Sequence, residues 1–104
     1  MDTESGTAKE GETMTTIYKY PLLPQPCLMT VGIPRGSKIL CVQSQFGIPT
    51  LWASVDTEQP NVECRFRIVM TGQHSDDLRP DLYIGTVQLD GGTFVLHVFG
   101  QVTA

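Results

Sequence analysis

Lys38-Ile39-Leu40-Cys41-Val42-Gln43, Thr50-Leu51-Trp52-Ala53-Ser54-Val55 and Cys64-Arg65-Phe66-Arg67-Ile68-Val69-Met70 are the segments on which the reading of the fold turns. The first two are crowded with apolar and β-branched residues, which favour a pleated strand. Phe46-Gly47-Ile48-Pro49 separates them. Gly47 can take the positive φ of a short hairpin loop, and Pro49 fits only where no ladder donor is needed. The third segment alternates. Cys64, Phe66, Ile68 and Met70 share one face, and Arg65 and Arg67 share the other. A sheet with one buried face follows.

Working outward toward the N-terminus, Thr15-Thr16-Ile17-Tyr18-Lys19-Tyr20 reads as a first strand. Pro21, Pro24 and Pro26 then rule out regular pairing, because each lacks a backbone donor. Residues 27–33 form a second strand, with Cys27, Met29, Val31 and Ile33 on one face. Pro34-Arg35-Gly36-Ser37 has turn chemistry. Toward the C-terminus, residues 71–82 make the longest polar connection, where Pro80 limits any helix to a turn. Tyr83 to Leu89 and Thr93 to Phe99 are the last strands, joined by the hairpin signal Asp90-Gly91-Gly92. No segment has a helical period. About seven short strands predict an all-β fold, a small antiparallel sandwich or open barrel. Trp52, Phe66, Ile68 and Phe94 are expected in its core.

Composition bounds the function. A chain of 104 residues, 40% hydrophobic and 17% charged, is the size and makeup of one globular domain. Residues 1–13 carry four acids against one base and no large apolar residue after Met1, so a disordered tail is expected there, with residues 14–104 as the single β domain. The remainder holds seven acids against six bases, and no basic stripe of the kind that nucleic acid requires. No apolar run approaches the ~18 residues of a membrane helix. The start lacks a secretion signal, so a cytoplasmic location is expected.

Ile17-Tyr18-Lys19-Tyr20, Pro34-x-Gly36-x-Lys38-Ile39-Leu40-x-Val42-Gln43 and Leu51-Trp52-Ala53-x-Val55-Asp56 form a specific series. It continues with Phe66-x-Ile68-x-x-Thr71-Gly72, Tyr83-Ile84-Gly85-Thr86 and His97-Val98-Phe99. Together these resemble a family of small proteins of unknown function found in phage, prophage and bacterial genomes. The likeness covers residues 17–99. Such sequences often have Asn-Gly where this chain has Phe46-Gly47, a change in turn chemistry. The resemblance implies a viral or mobile-element setting, and the host cytoplasm as location. It carries no catalytic residue.

Candidate site residues are few. Cys27, Cys41 and Cys64 are widely spaced, without a zinc pattern, and read as small buried hydrophobes. His97 sits on the face opposite Leu96 and Val98, at a sheet edge or subunit contact. His74 beside Asp76 and Asp77 is too sparse for a metal site. Arg65 and Arg67 are different. At positions i and i+2 they lie about 7 Å apart on one face, a spacing able to clamp a phosphate or carboxylate. Gln73 and His74 are the polar partners expected to complete that site.

The expected function is therefore a non-catalytic binding protein, with neither cofactor nor metal. It would bind a host protein, or an anionic nucleotide-like molecule as an anti-defence device. The alternative is a structural or accessory virion protein that acts through assembly. A second apolar face (Leu51, Ala53 and Val55 against Trp52) points to two packed sheets or a homo-oligomer. Deletion of residues 1–13 should leave melting temperature and light-scattering mass per subunit unchanged, because that segment has nothing to bury. Loss of soluble protein or of the assembly on truncation would refute this.

Overall fold

Among the described residues, the inner faces of seven antiparallel strands set the architecture. The computed structural model describes residues 14–102, the last two by backbone alone. The expected tail at residues 1–13 lies outside the described residues. Strands β1 (Thr15–Pro21), β2 (Cys27–Pro34), β3 (Lys38–Gln45), β4 (Ile48–Asp56) and β5 (Asn61–Met70) precede the long connection. A 3-10 turn at Pro80–Leu82 ends that connection, and β6 (Tyr83–Leu89) and β7 (Phe94–Val102) close the chain. One sheet has three strands in the order β1-β4-β3, and the other has four in the order β2-β5-β7-β6. The expected antiparallel sandwich is thus the fold.

Both sheets contribute to one core. Leu51, Ala53 and Val55 of β4 and Val42 of β3 meet Cys64, Phe66 and Ile68 of β5 and Leu96 and Val98 of β7. Ile33, Val87 and Leu89 complete it. Fully burying one such side chain stabilises by about 1.5–3 kcal/mol, so this interface dominates the energetics. At one flank the sheets approach closely. A Cβ on Gly85 of β6 would lie 2.7 Å from Cγ1 of Val42 on β3. At the other flank the proline-rich segment after β1 carries the chain from sheet to sheet. There the Leu22 amide donates to the Pro49 carbonyl at 2.7 Å, and the Leu22 side chain is buried.

Two core expectations are corrected. Trp52 is only half-buried and lies on the outer face of the three-stranded sheet, in register with Lys19 of β1 and Cys41 of β3. A strand can turn only one parity inward, and Leu51, Ala53 and Val55 outweigh a single indole. Phe94 shares the parity of Leu96 and Val98, yet it is 47% exposed, because it opens β7 beyond the reach of the opposite sheet. Phe66 and Ile68 are fully buried, as expected.

The β3–β4 hairpin carries a strained tip. Phe46 and Gly47 both have positive φ, 53° and 76°, so the two-residue loop has the handedness of a type I′ turn. Gly47 adopts that conformation freely, whereas a bulky L-residue pays a steric cost of about 1–2 kcal/mol. Phe46 is 94% exposed and recovers nothing by packing. Phe46→Asn should therefore raise stability by about 1 kcal/mol, since Asn tolerates the left-handed region. For a domain this size that corresponds to a rise in melting temperature of about 4–8 °C. A fall in melting temperature would mean that the exposed ring makes contacts worth more than its strain.

Candidate functional site

Burial of Phe66 and Ile68 forces the alternate residues of β5 outward, and this builds the site. Strand pairing sets Leu28 of β2, Arg67 of β5, Phe99 of β7 and Tyr83 of β6 side by side across the outer face of the four-stranded sheet. Tyr83 and Phe99 meet edge-to-face with ring centroids 5.5 Å apart. Arg65 lies two residues from Arg67, in register with Thr30. The connection between β5 and β6 turns back toward this face, and Leu28, Arg65, Arg67, Asp77, Arg79, Leu82 and Phe99 line a hollow there. Its cavity volume is about 30 Å³, room for one small charged group.

The three guanidinium groups differ in their partners. Arg67 forms an ion pair with Asp77, and its Nε is buried without a hydrogen-bond partner. Arg79 grips Asp81 through two bonds, Nε to Oδ1 at 3.1 Å and Nη2 to Oδ2 at 2.7 Å. Arg65 is exposed and has no ion pair among the described residues. The Ser75 hydroxyl donates to Oδ1 of Asp77 at 2.7 Å, so Asp77 is held from both sides. That hydroxyl and the Arg67 guanidinium draw the Asp77 carboxyl below its usual range, and Arg79 does the same to Asp81.

The sequence-derived site is only partly assembled. Arg65 and Arg67 line the hollow together. Gln73 and His74 do not line it: the Gln73 Oε1 accepts from the Met70 amide at 3.0 Å, and His74 is exposed. Arg79, Leu82 and Phe99 complete the lining beyond the expected residues, and Asp77, read beside His74 from sequence, pairs with Arg67 instead. The signal for Asp77 and Arg79 was present, a loop holding charges of both signs after a strand with two outward arginines. Composition could not say which way that loop folds.

A second polar cluster adjoins the first. The His97 ring is hydrogen-bonded at both nitrogens, Nε2 to Oγ1 of Thr71 at 2.7 Å and Nδ1 to Oγ1 of Thr86 at 2.9 Å. Thr86 in turn meets the Tyr83 hydroxyl at 2.6 Å. Thr71 begins the long connection and Tyr83 follows its end, so His97 ties both ends of that segment to β7. The sequence places this histidine at a sheet edge or subunit contact; it sits instead on an inner strand between β5 and β6, where its ring joins three elements.

Cys64 is buried as expected, whereas Cys27 and Cys41 are only half-buried. Burial pushes Cys27 and Cys64 above the usual thiol range, which disfavours the nucleophilic thiolate. Among the described residues no group of three or more His, Cys, Asp or Glu side chains could hold a metal ion. Nor is any helix among them long and apolar enough to cross a membrane.

With that geometry in hand, a sequence model described as Domain of unknown function (DUF7352) matches residues 14–104. The chain belongs to this family. The DUF7352 match starts at Met14, just before β1, and takes in every strand of both sheets. No curated protein and no solved structure matches the chain.

The ion pairs of the long connection make a pH test. Asp77 and Asp81 have folded values depressed below the ordinary 3.8, so their contribution is present above that pH. It is lost as pH falls through the lowered folded values. Thermal melts of wild type and of the D77N/D81N variant should differ slightly at neutral pH and converge in strong acid. A difference that persists unchanged into acid would show that these carboxylates act otherwise.

Proposed function

We propose that the protein is a non-catalytic binding module whose arginine-lined hollow captures an anionic group of its partner. The observation that carries this is Arg65, an exposed guanidinium without an ion pair among the described residues, beside Arg67 and Arg79. Three planar forks around one hollow suit bidentate recognition of phosphate or carboxylate. The sequence resemblance to phage and prophage proteins favours an accessory role in a host cell, in which binding inhibits a host factor. A nucleotide signal fits this reading through its phosphate alone. A volume of about 30 Å³ accepts one charged group, so the rest of a nucleotide would lie outside the hollow or against a second protomer.

The test is calorimetric titration of wild type and Arg65→Ala with a cyclic dinucleotide, AMP and inorganic phosphate. Arg65→Ala should weaken binding by about 1.5–3 kcal/mol, the scale of hydrogen bonds to a charged group. Arg65→Lys should restore part of it, because the ammonium keeps charge and loses the fork. Wild-type protein giving neither heat nor thermal shift with any of these anions would end the reading.

One observation favours the alternative, a structural or virion accessory role through assembly. Among the described residues strand β1 is an edge of its sheet, and Ile17 and Tyr18 on it are 59% and 45% exposed. An open edge strand with apolar side chains is a template for pairing with another chain.

A further inference from the structure

The arginine hollow already contains a carboxylate. Asp77 reaches Arg67 from the connection between β5 and β6, which places an anionic group of the chain itself where a ligand's anion would sit. Two features mark the contact as replaceable. The first is exposure: the Arg67 side chain is 27% exposed and that of Asp77 59%, and pairs of this kind contribute at most about 1 kcal/mol. The second is incomplete satisfaction. The buried Nε of Arg67 is left without an acceptor, although its Nη2 is paired. A carboxylate seated differently, or a group with more oxygens, could serve both donors.

Charge says which group fits. The hollow's three arginines stand against Asp77 and the Asp81 held by Arg79, a net of +1. With Asp77 withdrawn the net becomes +2, which matches a dianion. A phosphoryl group with a single ester link, or inorganic phosphate, carries about that charge at neutral pH and offers three or more acceptor oxygens.

We propose that Asp77 is a built-in competitor for the arginine hollow, displaced when a dianionic phosphoryl group binds Arg65 and Arg67. This rests on the hollow being an anion site, and adds the ligand's charge class and the device that regulates it. In the resting protein the pair holds residues 71–82 toward the outer face. On binding, Arg67 exchanges the carboxylate for phosphoryl oxygens, its Nε gains an acceptor, and the centre of the loop is released. The ends stay fixed, because Thr71 and Thr86 remain bonded to His97.

The experiment measures binding of inorganic phosphate, AMP and phosphoserine to the full chain and to Asp77→Asn, Asp76→Asn and Asp77→Asn/Arg65→Ala. Asp77→Asn should tighten binding about two- to fivefold, the range of the contact it removes. Asp76→Asn removes the same charge one residue away, where no pair with Arg67 exists, and should tighten binding less. Adding Arg65→Ala should reverse the gain. AMP and phosphoserine binding as well as phosphate would show that the hollow reads the phosphoryl group; phosphate alone would show that it takes the free ion, and either agrees with displacement. If wild type binds phosphate and Asp77→Asn binds no tighter than Asp76→Asn, the competitor role is overturned and the anion site stands. If no variant binds any of the three, both fall.

Discussion

The packing of β4 and β3 against β5 and β7 is the constraint from which the other features descend. Leu51, Ala53, Phe66, Ile68 and Val98 are each fully buried in one continuous interface. Each of the larger side chains among them contributes about 1.5–3 kcal/mol, whereas an exposed ion pair contributes about 1 kcal/mol or less. The parity of every inner strand is therefore settled by the core. Since side chains alternate, the outer face receives whatever residues remain. In β5 these are Glu63, Arg65, Arg67 and Val69; in β7 they include Val95, His97 and Phe99. The position of the arginines is a by-product of burying Phe66 and Ile68, and the arginines need supply none of the fold's stability.

That separation leaves the outer face free to carry polar chemistry. The Tyr83–Thr86–His97–Thr71 chain spans from the end of β5 to the start of β6 across β7. Threonine hydroxyls can each donate or accept, so the ring finds partners in either tautomer. Between those anchors, residues 71–82 are held by Arg67 to Asp77 and internally by Arg79 to Asp81. The segment is thus bound firmly at its ends by hydrogen bonds and weakly at its centre by exposed charge. A connection built this way can rearrange locally while both sheets stay intact.

The other sheet has strain and exposed apolar surface of its own. Phe46 holds a left-handed backbone at the hairpin tip while its ring lies almost wholly in solvent. Trp52, Ile17 and Leu40 leave apolar surface on or beside the outer face of the three-stranded sheet. The molecule therefore has two outer surfaces of different character. One is charged and threaded by hydrogen bonds, and the other carries exposed apolar surface and, among the described residues, is edged by a strand paired on one side only.

The sequence by itself determined the strands. Alternation in residues 64–68, β-branched runs at 38–43 and 50–55, and the turn chemistry of Gly47 and Asp90-Gly91-Gly92 are local signals. They depend on neighbours two residues away, which any chain carries in its primary structure. Pairing of Arg65 with Arg67 on one face was legible for the same reason. Tertiary structure decided what local period cannot encode. It set Leu51, Ala53 and Val55 of β4 against the opposite sheet and so turned Trp52, flanked in the strand by Thr50 and Ser54 at i±2, outward. It left Phe94 at the open end of the sandwich. It also brought Asp77 onto Arg67 and Arg79 into the same hollow, and left Gln73 and His74 out of it. A loop's direction depends on where its two ends are held: Thr71 is held by His97 and Tyr83 by pairing with Phe99, both residues of another strand.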